Sequence, residues 1–169
     1  MIDFTKSQQY TLSIRLSTDG FSFSIYNPIH DNSLSTIEKE TDTSLSLTAN
    51  LKATFRESDF LNHSYKRVNI MMADKRFTIV PLELFEEEQA ELLFYHNHQK
   101  RENETVICNI LKKNNVAIIF GMDKSAHTFL SEQYPEAHFY SQSTPLIDYF
   151  SVKSRLGNSK KMYVSIRRE

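Results

Sequence analysis

Alternating apolar and polar positions near the amino terminus predict a β-hairpin. Apolar side chains occupy every second position from Tyr10 to Leu16 and again from Phe21 to Ile25. The segment between them ends in Asp19-Gly20, a dipeptide that is typical of hairpin turns. The outward positions hold Ser and Arg, so we expect one buried face and one face that is solvated or lightly covered.

Alternation of this kind predicts the other strands, and apolar residues at intervals of three or four predict the helices. A segment rich in Ser, Thr and acidic residues runs from 27 to 43 and contains one weak strand at 34–37. Apolar residues at intervals of four then predict a helix from about Thr43 to Glu57. The other predicted strands are 66–72, 76–80, 105–111, 116–120, 137–140 and 162–166, and the other predicted helices are 82–97, 123–132 and 143–156.

Two of these elements carry predictions about packing. Only a short turn separates the strands at 66–72 and 76–80, so we expect the second strand to pair back on the first. The helix at 82–97 has an acidic beginning, which suits the positive end of a helix dipole. Its predicted inward-facing residues are Leu92, Leu93 and Tyr95.

Composition narrows the range of functions. The 169 residues fit one domain, or one domain with a small appendage. The 20 Lys and Arg side chains balance 21 Asp and Glu side chains, which argues against a surface that neutralises a nucleic-acid backbone. The chain has neither an apolar signal-peptide core near its start nor an apolar stretch of the ~20 residues that cross a membrane. We therefore expect a cytoplasmic protein with no membrane span and no nucleic-acid partner.

Glycine and cysteine usage excludes further classes of site. The glycines at 20, 121 and 157 stand alone, so they cannot form the glycine-rich loops of dinucleotide-binding or P-loop proteins. The single cysteine, Cys108, excludes a disulfide framework and a cysteine-based zinc site. Because Cys108 lies in an apolar predicted strand, a buried structural thiol is a better interpretation than a nucleophile.

One short segment resembles a nuclease metal-binding motif only in the order of its residues. Tyr95-His96-Asn97-His98 contains the letters of an HNH nuclease, but that chemistry needs a ββα metal fold, and these residues fall at the end of a predicted helix. Two histidines that are two positions apart lie on different faces of a helix. A solvated helix end is therefore the favoured interpretation. We assign no catalytic residue and no metal-binding residue.

Four segments, taken together, resemble those of a known family. They are Tyr65–Val68, Arg76–Phe85, Ser143–Leu146 and Met162–Val164. They are similar to segments of uncharacterised Bacteroidota proteins with an actin-like ATPase fold, related in shape to pilus-assembly and cell-division members of the actin and sugar-kinase superfamily. The resemblance covers nearly the whole chain. It implies a ribonuclease-H-like first lobe, an α+β or α/β fold with a mixed sheet, flanking helices and a small inserted subdomain.

The resemblance also implies a division of the chain. Residues 1–103 and 141–156 would form the core of the first lobe, and residues 104–140 would form the inserted subdomain. Residues 157–169 would be a linker and the opening strand of a second lobe that this chain lacks. The strand and face left uncovered make a homo-oligomer or a complex with another protein the expected form.

Catalytic members of the superfamily carry Asp-x-Gly on the first strand of each lobe, where the carboxylate organises the metal and the glycine lets backbone N–H groups approach phosphate. The matching positions here hold Arg15 and Ser17, and those of the second lobe hold Ser165 and Arg167. An Arg reverses the local charge, so the pattern disfavours hydrolysis of Mg·ATP. A hairpin turn explains the nearby Asp-Gly pair without a ligand. If a nucleotide does bind, the candidate residues are Ser17, Thr18, Asp19 and Gly20.

The sequence supports three hypotheses about function. The leading one is a catalytically inactive pseudo-ATPase that serves as a protein-interaction or assembly scaffold and uses no cofactor. The alternative is the nucleotide-binding half of an ATPase, with ATP and Mg²⁺ as cofactors, whose second lobe comes from a continuation of the chain or from a partner. The third is a remnant without a retained role. The degraded Asp-x-Gly positions favour the first hypothesis.

Overall fold

The computed structural model describes residues 2–29, 33–155 and Met162. Within these ranges the chain forms eight strands and four α-helices. The strands are β1 (Thr11–Leu16), β2 (Gly20–Asn27), β3 (Ser33–Glu40), β4 (Arg67–Met72), β5 (Phe77–Pro81), β6 (Glu104–Leu111), β7 (Val116–Asp123) and β8 (His138–Ser141). The helices are α1 (Leu47–Glu57), α2 (Ala90–Asn97), α3 (Lys124–Gln133) and α4 (Ser143–Arg155).

Five strands form one mixed sheet in the order β3-β2-β1-β4-β8. The predicted amino-terminal hairpin is confirmed, because β1 and β2 pair antiparallel, while β1–β4 and β4–β8 are parallel pairs. The apolar side chains of β1 share one face, where Leu12, Ile14 and Leu16 are at most 1% exposed. Helices α1 and α3 cover that face, with Leu51 and Leu130 buried in the same core. The mixed sheet with flanking helices predicted from the sequence is therefore confirmed.

Three strands form a separate small sheet in the order β5-β7-β6. The hairpin predicted at 105–120 is confirmed as β6 and β7, and Asn115 in its turn has a positive φ of 55°. The predicted pairing of strand 76–80 with strand 66–72 is wrong, because β5 pairs antiparallel with β7. Strand β4 has no free edge to offer, since β1 and β8 occupy its two sides.

The helix predicted at 82–97 is shorter than expected, because α2 begins only at Ala90. Leu92, which was predicted to face the interior, is 71% exposed, whereas Phe94 is fully buried. The inward face of α2 is defined instead by Ala90 and Phe94, which lie four positions apart and pack on the small sheet. Leu93 and Tyr95 are partly buried against the same core, in agreement with the prediction.

Side-chain caps set the starts of two other helices. Helix α1 begins at Leu47 rather than near Thr43, because the Ser46 hydroxyl accepts a hydrogen bond from the backbone N–H of Ala49 at 3.2 Å. Asp123 caps α3, whose predicted extent is confirmed to within one residue. The weak strand predicted at 34–37 is the full edge strand β3.

The two sheets divide the chain at points other than the predicted segment boundaries. Strand β5 precedes residue 104 but belongs to the small sheet. Helix α3 and strand β8 lie between 104 and 140 but belong to the main core and the main sheet. The predicted linker and strand at 157–169, with Ser165 and Arg167, lie outside the described residues apart from Met162.

A buried ion pair closes one end of the small sheet. Arg76, just before β5, contacts both carboxylate oxygens of Glu104 at the start of β6, with 3.2 Å between Nη2 and Oε2. Both side chains are largely buried, at 13% and 5% exposure. Because β7 lies between β5 and β6, the pair crosses over β7 at Gly121. The Arg76 guanidinium also lies 5.3 Å from the centre of the Phe94 ring and donates to the backbone oxygen of Gln99 at 2.6 Å.

Gly121→Ala is expected to lower the free energy of unfolding by about 2–4 kcal/mol, because a Cβ at this position collides with the Glu104 carboxylate and displaces it from Arg76. Urea unfolding followed by circular dichroism measures the loss. In a Glu104→Ala background the obstructed carboxylate is gone and the 3.1 Å contact with the Phe94 ring remains, so the same substitution should cost clearly less. Equal costs in the two backgrounds would contradict the crossing geometry.

The side chain of Asn109 fastens the small sheet to the edge of the main sheet. Its amide nitrogen donates to the backbone oxygen of Phe139 at 2.8 Å, and its amide oxygen accepts from the backbone N–H of Ser141 at 3.0 Å. The same oxygen accepts from the Thr144 hydroxyl at 2.7 Å. Asn109 thus makes to β8 the pair of bonds that a neighbouring strand would make, and it also fixes the start of α4.

Asn109→Asp is expected to lower the free energy of unfolding by about 2–4 kcal/mol at neutral pH, because a carboxylate oxygen then faces the Phe139 carbonyl oxygen and has no proton to donate. Asn109→Ala is the matched control, since it removes the bonds without adding a charge and should cost less than the Asp variant. Denaturant titration of the three proteins gives both costs. An Asp variant as stable as the unsubstituted protein would contradict the two-way amide contact.

Candidate functional site

The turn between β1 and β2 holds the four residues that the sequence offers for nucleotide binding. The backbone N–H of Ser17 donates to the backbone oxygen of Gly20 at 3.1 Å, which closes a tight turn. The Ser17 hydroxyl lies 2.8 Å from the same oxygen and also contacts the Asp19 carboxylate. The backbone oxygen of Thr18 accepts from the Thr41 hydroxyl at 3.2 Å. The structure therefore brings the four residues into one turn whose polar groups bond mainly to one another.

The Asp19 carboxylate occupies the donors of this turn. Hydrogen bonds from the Ser17 hydroxyl and from the residue's own backbone N–H lower the pKa of Asp19 below its ordinary value of 3.8. The side chain is therefore ionised at neutral pH and competes with any phosphate for the same donors. Gly20 is required by strand packing alone, because a Cβ there would lie 2.8 Å from the backbone oxygen of Lys39 on β3.

Arg15 places a positive charge beside the turn. Its Nη1 lies 3.4 Å from the Ser17 hydroxyl, and its Nη2 is buried without a hydrogen-bond partner in the described ranges. The position expected to hold a metal-organising carboxylate thus holds a guanidinium, which repels Mg²⁺. Residues 2–29 and 33–155 also contain no cluster of three or more His, Cys, Asp or Glu side chains placed to hold a metal ion. The turn does not fit the Mg·nucleotide site that the resemblance implies.

A cleft with a volume of about 360 Å³ opens between the two sheets, at the carboxyl ends of β1 and β4. Ligands of open α/β sheets bind at this end of the strands, so the cleft is the first place to look for a site. Ser17 and Thr18 line it, whereas Asp19 and Gly20 line a neighbouring groove on the other side of the turn. The charged residues of the cleft are Asp42, Asp74, Glu102, Glu104 and Asp123, with Arg101.

Most of these carboxylates hold the surrounding structure together. Asp42 accepts bonds from the hydroxyl and the backbone N–H of Ser44, and these bonds lower the pKa of Asp42 below its ordinary value of 3.8. Asp74 lies 3.3 Å from the Arg101 guanidinium. Each carboxylate therefore stabilises a loop at the rim of the cleft.

Glu104 and Asp123 are engaged on the opposite wall. Glu104 forms the buried pair with Arg76. Asp123 joins α3, α1 and the loop before β6, because it accepts from three groups that come from these segments. Those donors are the backbone N–H of Ala126 at 2.8 Å, the Thr48 hydroxyl at 3.1 Å and the Asn103 amide at 3.0 Å. Both carboxylates thus serve as structural acceptors at the wall of the cleft.

Sequence reasoning assigned none of the cleft carboxylates to a site. Asp42 and Asp74 carry no spacing signal, because they belong to separate loops, whereas Asp123 was recognisable as a helix cap. The histidines at 96 and 98 lie at the end of α2, as predicted. The Nε2 atom of His98 lies 3.2 Å from the backbone oxygen of Phe77, which is a structural contact with β5.

Cys108 lies on β6 and packs against the core of the small sheet. Burial, with a smaller contribution from the charge of Glu87, raises the pKa of its thiol from 9.0 to about 11. A thiol with this pKa is almost wholly protonated at neutral pH and is a poor nucleophile. These surroundings agree with the structural role predicted for Cys108.

Iodoacetamide is expected to modify Cys108 about a hundredfold more slowly in the folded protein than in urea at pH 8, because only the thiolate reacts and folding raises the pKa from 9.0 to about 11. Mass spectrometry of timed samples gives both rates. The difference should shrink as the pH rises from 9 towards 11. Similar rates in the folded and unfolded chains at pH 8 would contradict the buried thiol.

The chain resembles known proteins at the level of both family and structure. A family model described as "Protein of unknown function (DUF3822)" matches residues 1–169. A crystal structure from Bacteroides thetaiotaomicron VPI-5482, described as a protein with an actin-like ATPase fold and unknown function, is 80% identical in sequence with a TM-score of 0.90. The match covers 99% of this chain and 65% of that chain, so this chain spans about two thirds of the length of its solved relative. No curated protein matches the chain.

These similarities confirm two predictions made from the sequence. The resemblance to uncharacterised proteins with an actin-like ATPase fold is confirmed, and so is the fold class. In residues 2–29 and 33–155, none of the helices has the length and apolar character needed to cross a membrane.

Proposed function

The chain belongs to the DUF3822 family of proteins of unknown function and has an actin-like ATPase fold, and from this premise we propose that it is a catalytically inactive member of that fold which acts by binding other proteins. Its role is that of an interaction or assembly scaffold. Neither ATP nor Mg²⁺ takes part in this role.

The β1–β2 turn carries the proposal. A nucleotide-hydrolysing turn needs a carboxylate that organises Mg²⁺ and free backbone donors for phosphate. Here the Arg15 guanidinium has the wrong charge for the first task, and the ionised Asp19 side chain occupies donors that the second task requires. Two independent features of one turn thus oppose the same ligand.

The structural contacts of the cleft carboxylates are a second observation that supports the proposal. Its position at the strand ends is where a ligand of this fold class would bind, yet four of its five carboxylates have structural partners: Asp42, Asp74, Glu104 and Asp123. Among them, the contact between Asp123 of the small sheet and Thr48 of α1 ties the small sheet to the main core. Carboxylates engaged in structural contacts suit a protein whose function is to present surfaces.

Mg·ATP is expected to change the melting temperature by less than about 1 °C, because a ligand that does not bind the folded state adds no stability. Differential scanning fluorimetry of this chain and of its longer Bacteroides relative, each with ATP, with ADP and with EDTA, measures the shift. Asp19→Ala should behave like the unsubstituted chain in every condition. A stabilisation that requires Mg²⁺ and disappears in the Asp19→Ala variant would contradict the proposal and favour a nucleotide-binding ATPase half.

A further inference from the structure

The outer face of the main sheet carries a groove of about 760 Å³, which we call the α4 groove. Its floor consists of the outward residues Arg67, Asn69 and Met71 of β4, with Ser13 of β1 and Tyr140 of β8 beside them. From Arg67 to Met71 the floor extends over about 13 Å, at ~3.3 Å per residue. The groove lies on the opposite side of the sheet from α1 and α3, and it is separate from the cleft.

Two walls border this floor. One is the end of β6 with the turn that follows it, at 110–114, and the other is the beginning of α4, from Thr144 to Asp148. Arg155, at the end of α4, donates to the backbone oxygen of Lys113 at 2.8 Å and so connects the two walls. The amino-terminal end of α4 adds a partial positive charge at the rim.

The α4 groove is positively charged. Arg67, Lys112 and Lys113 line it, against a single carboxylate from Asp148. Arg67 donates to two neutral groups of the floor, at 2.9 and 3.1 Å. Within the described ranges, none of these three cations forms an ion pair with a carboxylate. Their charge is available to an anionic partner.

Asn114 indicates that the partner also supplies a hydrogen-bond donor. Its Oδ1 atom is shielded from solvent and has no hydrogen-bond donor in the described part of the chain. Because Asn114 also lines the α4 groove, an occupant that supplies an N–H group brings the kind of donor that this oxygen lacks. A phosphate or citrate ion is mainly an acceptor, whereas a peptide backbone offers an N–H at nearly every residue. The groove therefore favours a partner with both carboxylates and backbone donors.

We propose that the α4 groove binds a short, extended, acidic segment of a partner protein. Carboxylates of the segment pair with Arg67, Lys112 and Lys113, a backbone N–H reaches Asn114, and an apolar side chain packs on Met71. Four residues of extended chain match the length of the floor. The inference rests on the proposed function and makes the chemistry of the partner specific.

Fluorescence anisotropy tests the proposal with a fluorescein-labelled peptide of sequence Glu-Glu-Phe-Glu-Glu-Leu-Glu-Glu. The peptide is expected to bind saturably, with an affinity that falls as salt is added. Lys112→Glu with Lys113→Glu should weaken binding at least about tenfold. The matched control, Lys52→Glu with Lys124→Glu, makes the same change in net charge on the other side of the sheet and should alter the affinity less than about twofold. All four lysines are exposed, so both double variants should fold.

Several outcomes would overturn the proposal. They are the absence of saturable binding, equal weakening by the two double variants, and equal affinity for a probe with Gln in place of Glu. Displacement of the probe by an equal concentration of pyrophosphate would indicate a simple anion site and would also overturn it. Stabilisation by Mg·ATP together with the expected probe binding would contradict the proposed function but support the groove, so the two failures are distinguishable.

Discussion

The ion pair between Arg76 and Glu104 is the contact on which the small sheet depends. A buried pair compensates for the desolvation of its charges only when its hydrogen bonds are well placed, and here the backbone oxygen of Gln99 and the ring of Phe94 complete the surroundings of the guanidinium. The pair joins the two outer strands across the central one, which is why a glycine stands at position 121. The loops that lead into β5 and β6 form one wall of the cleft, so this pair also fixes the shape of the cleft.

Local pattern was sufficient to predict the main hairpin but not the composition of the small sheet. A strand with one buried face shows its period directly, so residues 10–25 revealed both strands and their turn. The partner of β5 could not be found in this way, because Phe77 pairs with Phe120 and the nearer candidate, β4, already has two neighbours. Which side of α2 is buried depends on how the small sheet assembles, because α2 packs on that sheet. This explains why Phe94 and not Leu92 faces the interior.

The candidate site was likewise predictable only where its residues are contiguous in the sequence. The four residues of the β1–β2 turn are contiguous, and Asp-Gly is a turn signal, so sequence alone placed them together. The cleft draws its carboxylates from separate segments, and the partner of Glu104 was hidden until the strand order was known. The α4 groove was equally invisible, because β4, the β6–β7 turn and α4 meet only in the folded chain. Family membership indicated the fold, whereas the chemistry of the turn, the cleft and the α4 groove follows from the geometry of their side chains.

The amide of Asn109 governs how the main sheet can be extended. A sheet of five strands offers two borders for a further strand, at β3 and at β8. At β8 the Asn109 side chain already occupies the Phe139 oxygen and the Ser141 N–H, so an incoming strand finds these groups taken. At β3 none of the described strands lies on the outer side, but the strand ends in Glu38-Lys39-Glu40, charges that discourage strand addition. Among the described residues, addition of a further strand is thus obstructed at β8 and opposed by charge at β3.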